Sequence, residues 1–525
     1  AMACATPTLA GGLLTNTNQH VAFNRMMSRE ASIGIDGVYY NPAGVVFMSE
    51  GHHLAINWQL AFQTRTINND YALFTNNVNN PITPRDFKGT AFAPVIPSFQ
   101  YAYNKGKWSF QASFALTGGG GKCTFDDGLG SFEKIVAETA IAACGLAGVV
   151  DQTLGNTLGQ PGMEMFTSDQ AFGKTGKYSF NSYMHGRQYY YGLSVGAAYK
   201  FCDNFSAFLG VRGVYALTNY YGYVENINVG NMPLYKVLDP TKESSANIEL
   251  SCDQSGVGFT PIIGVDYKTG RWNFSAKYEF KTRIRLKNKS VNQTPSIGNL
   301  PANLANQMTG ILTAKYQQAG LPLEQAKQQA ENTTNAVLND PTVGATMMGL
   351  KTQFDQKLNK AIGEYEDGKK IAGDIPAYLA LGVGYSPVDA VRVNVGFHWF
   401  DDKNATSYNN RNKELKRGTL EYNAGVEVDV NKKITLSTGW QNTNYGLSDE
   451  YMDDKSFVVS SNSVAIGGVY HINKKMDLNV AYFHTFYQHK KTTETVQLTA
   501  DRSLNYSSDY TRNNNVFAVG LDINF

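Results

Sequence analysis

Side chains able to do chemistry are thinly spread through this sequence. No G-x-S-x-G elbow, Walker loop or H-E-x-x-H pair occurs, and His52-His53 and His484/His489 have no partners at metal-ligand spacing. No catalytic residue, metal site or cofactor is therefore expected. What remains is a set of cations and acids at strand-like positions: Lys200, Arg212, Lys277 and Arg392 with Glu279, Glu427 and Asp429. Facing an interior, they would either hold a plug by ion pairs or bind a ligand. Arg212, Lys277 and Arg392 are the candidates for a ligand carboxylate, because burial strengthens a charge-assisted hydrogen bond. The cysteines are Cys4, Cys123, Cys144, Cys202 and Cys252, too few for a disulfide scaffold. Cys123 and Cys144 fall in one surface loop, and a disulfide between them is one hypothesis.

The elements that would position these groups are strands. In 391–399 the residues Val391, Val393, Val395, Phe397 and Trp399 alternate with Arg392, Asn394, Gly396 and His398. In 420–430 Leu420, Tyr422, Ala424, Val426, Val428 and Val430 oppose Glu421, Asn423, Gly425, Glu427 and Asp429. Period two at this length means one apolar and one polar face. About fourteen such segments run from 52–66 to 513–525. Tight turns alternate with long excursions at 67–94, 121–186, 225–245, 289–373, 404–416, 446–460 and 490–512. A soluble β-sandwich would not segregate loop lengths in this way.

Composition agrees. Charged residues are only 17%, there are 31 Tyr, 28 Phe and 50 Gly, and net charge is +2, which offers nothing to nucleic acid. The most apolar run, 135–150, carries Glu138 and is too short for a membrane-spanning helix. The reading is all-β: a fourteen-stranded antiparallel transmembrane barrel at 51–525, with short periplasmic turns and long extracellular loops. Tyr101, Tyr103, Trp108, Tyr199, Tyr267, Trp272, Tyr385 and Tyr470 would form an interfacial girdle. The first thirty residues hold no basic n-region followed by an apolar core, so a mature exported chain is expected.

A barrel of this width cannot fill itself with side chains. Residues 1–50 lack alternation and end in Tyr40-Asn41-Pro42-Ala43-Gly44, and they are the expected plug. From Gly11 through Asn18, Met26, Ala31, Ile35 and Asp36 to Asn41-Pro42-Ala43-Gly44, this segment resembles the hatch of the FadL-type (long-chain fatty-acid transporter) family. The closing row Phe517, Val519, Leu521, Ile523 and Phe525 resembles the C-terminal assembly signal of outer-membrane barrels. In motif the FadL resemblance covers only the hatch and the C-terminus; in layout it covers the whole chain.

Two loops carry helical periodicity. Phe132, Ile135 and Val136 lie on an apolar face at 131–150, and Phe354, Leu358 and Ile362 on another within 302–370. These faces would pack as a cap, and are also the candidates for an apolar groove. The family pattern has helical excursions after the third and seventh strands, where both fall here. It also has an inward kink in the third strand that opens the wall laterally; Gly118, Gly119, Gly120 and Gly121 sit at that place, where glycines could equally just begin the loop. The implied function is passive outer-membrane transport of a hydrophobic small molecule such as a fatty acid, in Gram-negative bacteria. Expected partners are that ligand, outer-membrane lipids and the barrel assembly machinery, with the protein a monomer. The competing readings are an adaptor that carries secreted surface proteins and, more remotely, a lipid-modifying enzyme.

Overall fold

The computed structural model describes residues 18–295, 297–499 and 501–525. Gly11, from the hatch resemblance, and Cys4 lie outside them. Fourteen antiparallel strands close into a barrel. The first five are Gly51–Tyr71, Arg85–Lys105, Trp108–Phe125, Tyr178–Cys202 and Phe205–Val229. The sixth is Ile248–Thr269, and the seventh is Trp272–Glu279 continued by Arg285–Gln293. The eighth is Lys370–Ala372 continued by Tyr378–Val388. Val391–Phe400, Thr419–Asn431, Ile434–Asn444 and Ser461–Asn473 follow. The thirteenth is Met476–Tyr487 with Lys490–Thr499, and the last is Arg502–Asn524. Closure comes from the first strand pairing with the last, from His53 opposite Asn524 to Tyr71 opposite Tyr506.

Alternation decides what faces lipid. Leu193, Leu209, Phe259 and Ile466 are more than half exposed, whereas inward neighbours such as Ser194, Arg212 and Thr260 are covered. An outward apolar row and an inward polar row is the membrane-barrel arrangement. Beside the short turns, Trp108 stacks on Tyr199 with centroids 4.7 Å apart, and Trp272 on Tyr385 at 4.3 Å. Phe525 stacks on His52. This is the girdle read from the sequence.

Two of the predicted excursions differ in structure. Much of 67–94, and nearly all of 490–512, is strand, because neighbouring strands continue beyond the membrane as ladders. Outside lipid neither face needs to be apolar, so the period-two signal fades while hydrogen bonding goes on. The helix expected at 131–150 runs Gly130–Leu158, and 302–370 contains Leu300–Gln318, Leu323–Leu338 and Pro341–Ile362. The first of these is, by length and composition, apolar enough to cross a membrane. It instead lies among the protruding strands, where its acids are held. Glu133 accepts from Asn77 and Tyr178, and three backbone amides of Met165–Thr167 converge on Asp151. The disulfide hypothesis fails: Cys123 and Cys144 are free thiols in different apolar clusters, and the Cys144 thiol donates to the Phe172 carbonyl.

Candidate functional site

Residues 18–48 lie inside the barrel, with side chains nearly all covered. The helix Val21–Met26 touches strands on one side of the wall, while Gly37–Tyr40 and the turn Gly44–Phe47 touch the opposite side. The wall makes room by omitting side chains: a Cβ at Gly425 or Gly439 would overlap the Met26 carbonyl. The Asn41-Pro42-Ala43-Gly44 turn is docked near the periplasmic end. Gln111 donates to the Pro42 carbonyl and Ser206 to the Ala43 carbonyl, both at 2.7 Å. Asn41 donates to Asp266 and accepts from the Gly44 amide at 3.2 Å, and a Cβ at Gly44 would strike its amide group.

The three cations proposed for a ligand carboxylate are already matched. Arg212 makes a two-pronged contact with Glu279, which also takes the Lys277 ammonium at 2.9 Å. Lys277 donates as well to the Tyr39 carbonyl of the internal segment. Arg392 reaches Glu427 and Asp429, and Arg25 of the internal segment bonds the same Glu427. These groups tie segment to wall, so the carboxylate-binding assignment is set aside in favour of the plug-holding alternative. Sequence reading missed the tightest of these ties, a buried His398 on the wall between Glu421 and the segment's Glu30.

The wall is interrupted at one place near the glycine run. Strands two and three pair as far as Phe92 opposite Lys122, and again from Phe99 opposite Phe114, but not between. The unpaired stretch of strand two contains Pro94 and Pro97, which lack an N–H for the ladder. Across from it, strand three leans to its other neighbour through irregular register at Leu116/Gly118 and Gly119/Gly121. Gly119 has φ +73°, and a Cβ there would overlap the Gln188 carbonyl, so this close lean requires glycine. From the lumen, Gln19 donates to the Leu116 carbonyl at 2.6 Å, while Gln100 donates to the Gln19 carbonyl at 3.0 Å. The prolines were a usable sequence signal that went unread.

Above the lumen the cap helices enclose an apolar cavity of about 410 Å³. Ile135, Val136, Leu146, Phe166, Leu350 and Phe354 line it. A smaller cavity of about 50 Å³ adjoins it, sharing Ile135, Ile248, Phe354 and Lys357. Phe132, Leu358 and Ile362 line the smaller one, so all six groove residues chosen from the sequence border one or other space. Lys357 is the cation at the seam, and Glu138 takes it at 2.5 Å.

Fold and internal segment together define an outer-membrane β-barrel whose lumen is occupied by its own N-terminal region. The fold is of the FadL type. A FadL homologue from Pseudomonas aeruginosa superposes with TM-score 0.58 at 13% identity, covering 98% of this chain and 100% of that one. The TodX monoaromatic hydrocarbon channel (deltaS2S3 mutant) superposes with TM-score 0.52 at 13% identity, covering 96% and 99%. No protein-family model matches the sequence, and no curated protein matches it significantly.

Proposed function

We propose that the protein is a passive outer-membrane channel for hydrophobic small molecules. The observation that carries this reading is the apolar cavity in the cap, whose volume falls within the usual range for small-ligand sites. A solute leaves water among Ile135, Leu350 and Phe354, moves down past Phe132 and Leu358, and meets the internal segment. Displacement of that segment near Gln19 frees the interrupted wall between strands two and three, and Gly118–Gly121 is the hinge of that lateral opening. The name of one structural neighbour, a monoaromatic hydrocarbon channel, supports an apolar cargo.

Long-chain fatty acids are the first cargo to test, with neutral hydrocarbons beside them. The cavity's cation is neutralised by Glu138, so a fatty-acid carboxylate has to displace that partner while a hydrocarbon does not. The reading requires no bond-making step, and the protein is read as a non-enzyme. The experiment is mass spectrometry of organic extracts from protein purified in mild detergent, with uptake assayed for wild type and Phe354→Asp. An apolar molecule in the extract, together with uptake reduced at least tenfold in the variant, is expected. Empty extracts combined with unchanged uptake in the variant would sink the proposal.

A further inference from the structure

The upper part of the seventh strand has an outward face of unusual chemistry. Arg283, Arg285, Lys287 and Lys289 are exposed at every second position, while Ile284, Leu286 and Asn288 between them are buried. The eighth strand adds an exposed Lys370 directly opposite Lys287. Like charges facing each other across a ladder destabilise it unless a counter-charge is present. The acids nearby do not supply enough. Asp374 is buried and takes Arg285 at 2.9 Å, with Lys281 at 3.9 Å. Asp253 stands opposite Lys289 but accepts from Asn219. Arg283, Lys287, Lys289 and Lys370 form no ion pair among the described residues.

The height of this ladder identifies what lies beside it. The lower seventh strand points Trp272 and Phe274 at lipid, and Phe280 ends that apolar run. The cations begin three residues later, on the side of the long extracellular connections. Next to them, Gly256 and Gly258 of the sixth strand lie against the Arg285 and Arg283 carbonyls. That contact brings the outward Val257 and Phe259, 63% and 70% exposed, to the level of the lowest cations. An apolar surface topped by uncompensated positive charge matches an anionic amphiphile standing in the outer leaflet, acyl chains below and phosphate above.

We propose that Arg283, Lys287 and Lys370 form a docking site on the barrel's outer wall for the phosphates of an outer-leaflet glycolipid. The site is separate from the lumen and the cap cavity and does not depend on what the channel carries. Arg283 supplies a planar, two-pronged donor for phosphate, and the two lysines supply point charges beside it.

The test is native mass spectrometry of the full chain in a neutral detergent, titrated with bisphosphorylated lipid A and with lipid A stripped of phosphate. Wild type is compared with an R283Q/K287Q/K370Q variant and with K432Q/K474Q/K475Q, which removes equal charge from exposed periplasmic turns. The expected result is binding of bisphosphorylated lipid A weakened about tenfold or more in the first variant only. Dephosphorylated lipid should bind wild type as weakly as that variant binds the phosphorylated form. Equal binding by the two variants, or equal binding of the two lipids, overturns the proposal. A salt titration of wild type from roughly 0.05 to 0.5 M supplies a check free of any folding effect, since phosphate contacts must weaken and apolar ones need not. Binding insensitive to that titration overturns the proposal as well.

Discussion

His398 and Glu30 are 368 residues apart in sequence, yet the imidazole Nε2 lies 2.7 Å from the carboxylate, and both side chains are fully covered. One belongs to the ninth strand and the other to the internal segment. Glu421 holds the far side of the ring at 2.8 Å and in turn accepts from Thr443. The pair is a latch between plug and wall.

Breaking the latch should loosen the plug without preventing barrel assembly. Removing one member of a buried, hydrogen-bonded charged pair costs about 3–5 kcal/mol. Glu30→Ala is therefore expected to raise conductance in planar bilayers and to lower protection of residues 21–40 in hydrogen exchange. Glu30→Gln, which keeps a hydrogen-bonding group, should do so less. Conductance and exchange identical to wild type in Glu30→Ala would show that the latch holds nothing.

Deletion of residues 5–40 goes further, removing the segment bodily. The strands and the terminal Phe525 remain, so a closed barrel should form, and it should conduct small polar solutes because its own side chains cannot fill the lumen. A truncated barrel that conducts no more than the full chain would transfer the sealing role to the loops.

The interrupted wall yields a matched pair of substitutions. Gly119→Ala has to place a Cβ against the Gln188 carbonyl at φ +73°, whereas a Cβ at Gly121 meets only the Ala93 methyl at 3.5 Å. Left-handed backbone alone costs a non-glycine residue roughly 1–2 kcal/mol. Thermal unfolding of the assembled barrel should shift downward for Gly119→Ala and stay near wild type for Gly121→Ala. Equal behaviour of the two would remove the structural demand for glycine at 119.

These contrasts separate what could be read from the sequence and what could not. Strands were legible wherever lipid lies on one side, because Val391 to Trp399 must then alternate. The groove residues were legible too, because Ile135 and Phe354 sit on helical faces too apolar to be left in water. The latch was not: His398 was visible on an inward face, but nothing local specifies which residue of a plug will meet it. The carboxylate-binding reading of Arg212 and Arg392 failed for the same reason, since their acidic partners are set by cross-strand register and by where Arg25 lands.

The extracellular cap should respond to pH. Asp454 lies in the loop between the eleventh and twelfth strands and accepts from both the amide and the hydroxyl of Ser131, at the start of the first cap helix. Burial, then the neighbouring Asp453, push its carboxyl up to about 6, against the opposing pull of Ser131. A carboxyl raised in the folded state favours folding while protonated. Its contribution is complete below the unfolded value near 3.8 and is lost as pH rises through 6. Hydrogen exchange of residues 130–133 should therefore be slower at pH 5 than at pH 7.5 after correction for intrinsic rates, and Asp454→Asn should flatten the difference. A cap equally protected at both pH values in wild type would refute the assignment.

The fourth and fifth strands are each 25 residues long, whereas about 9–11 suffice to span the membrane. At ordinary rise and tilt the surplus carries their upper ends roughly 35–40 Å beyond the lipid. The cap is thus a turret. Its helices reach past the inner sugars of the outer leaflet into open medium, so large particles such as antibodies and phage can touch the surface that first meets a passing solute.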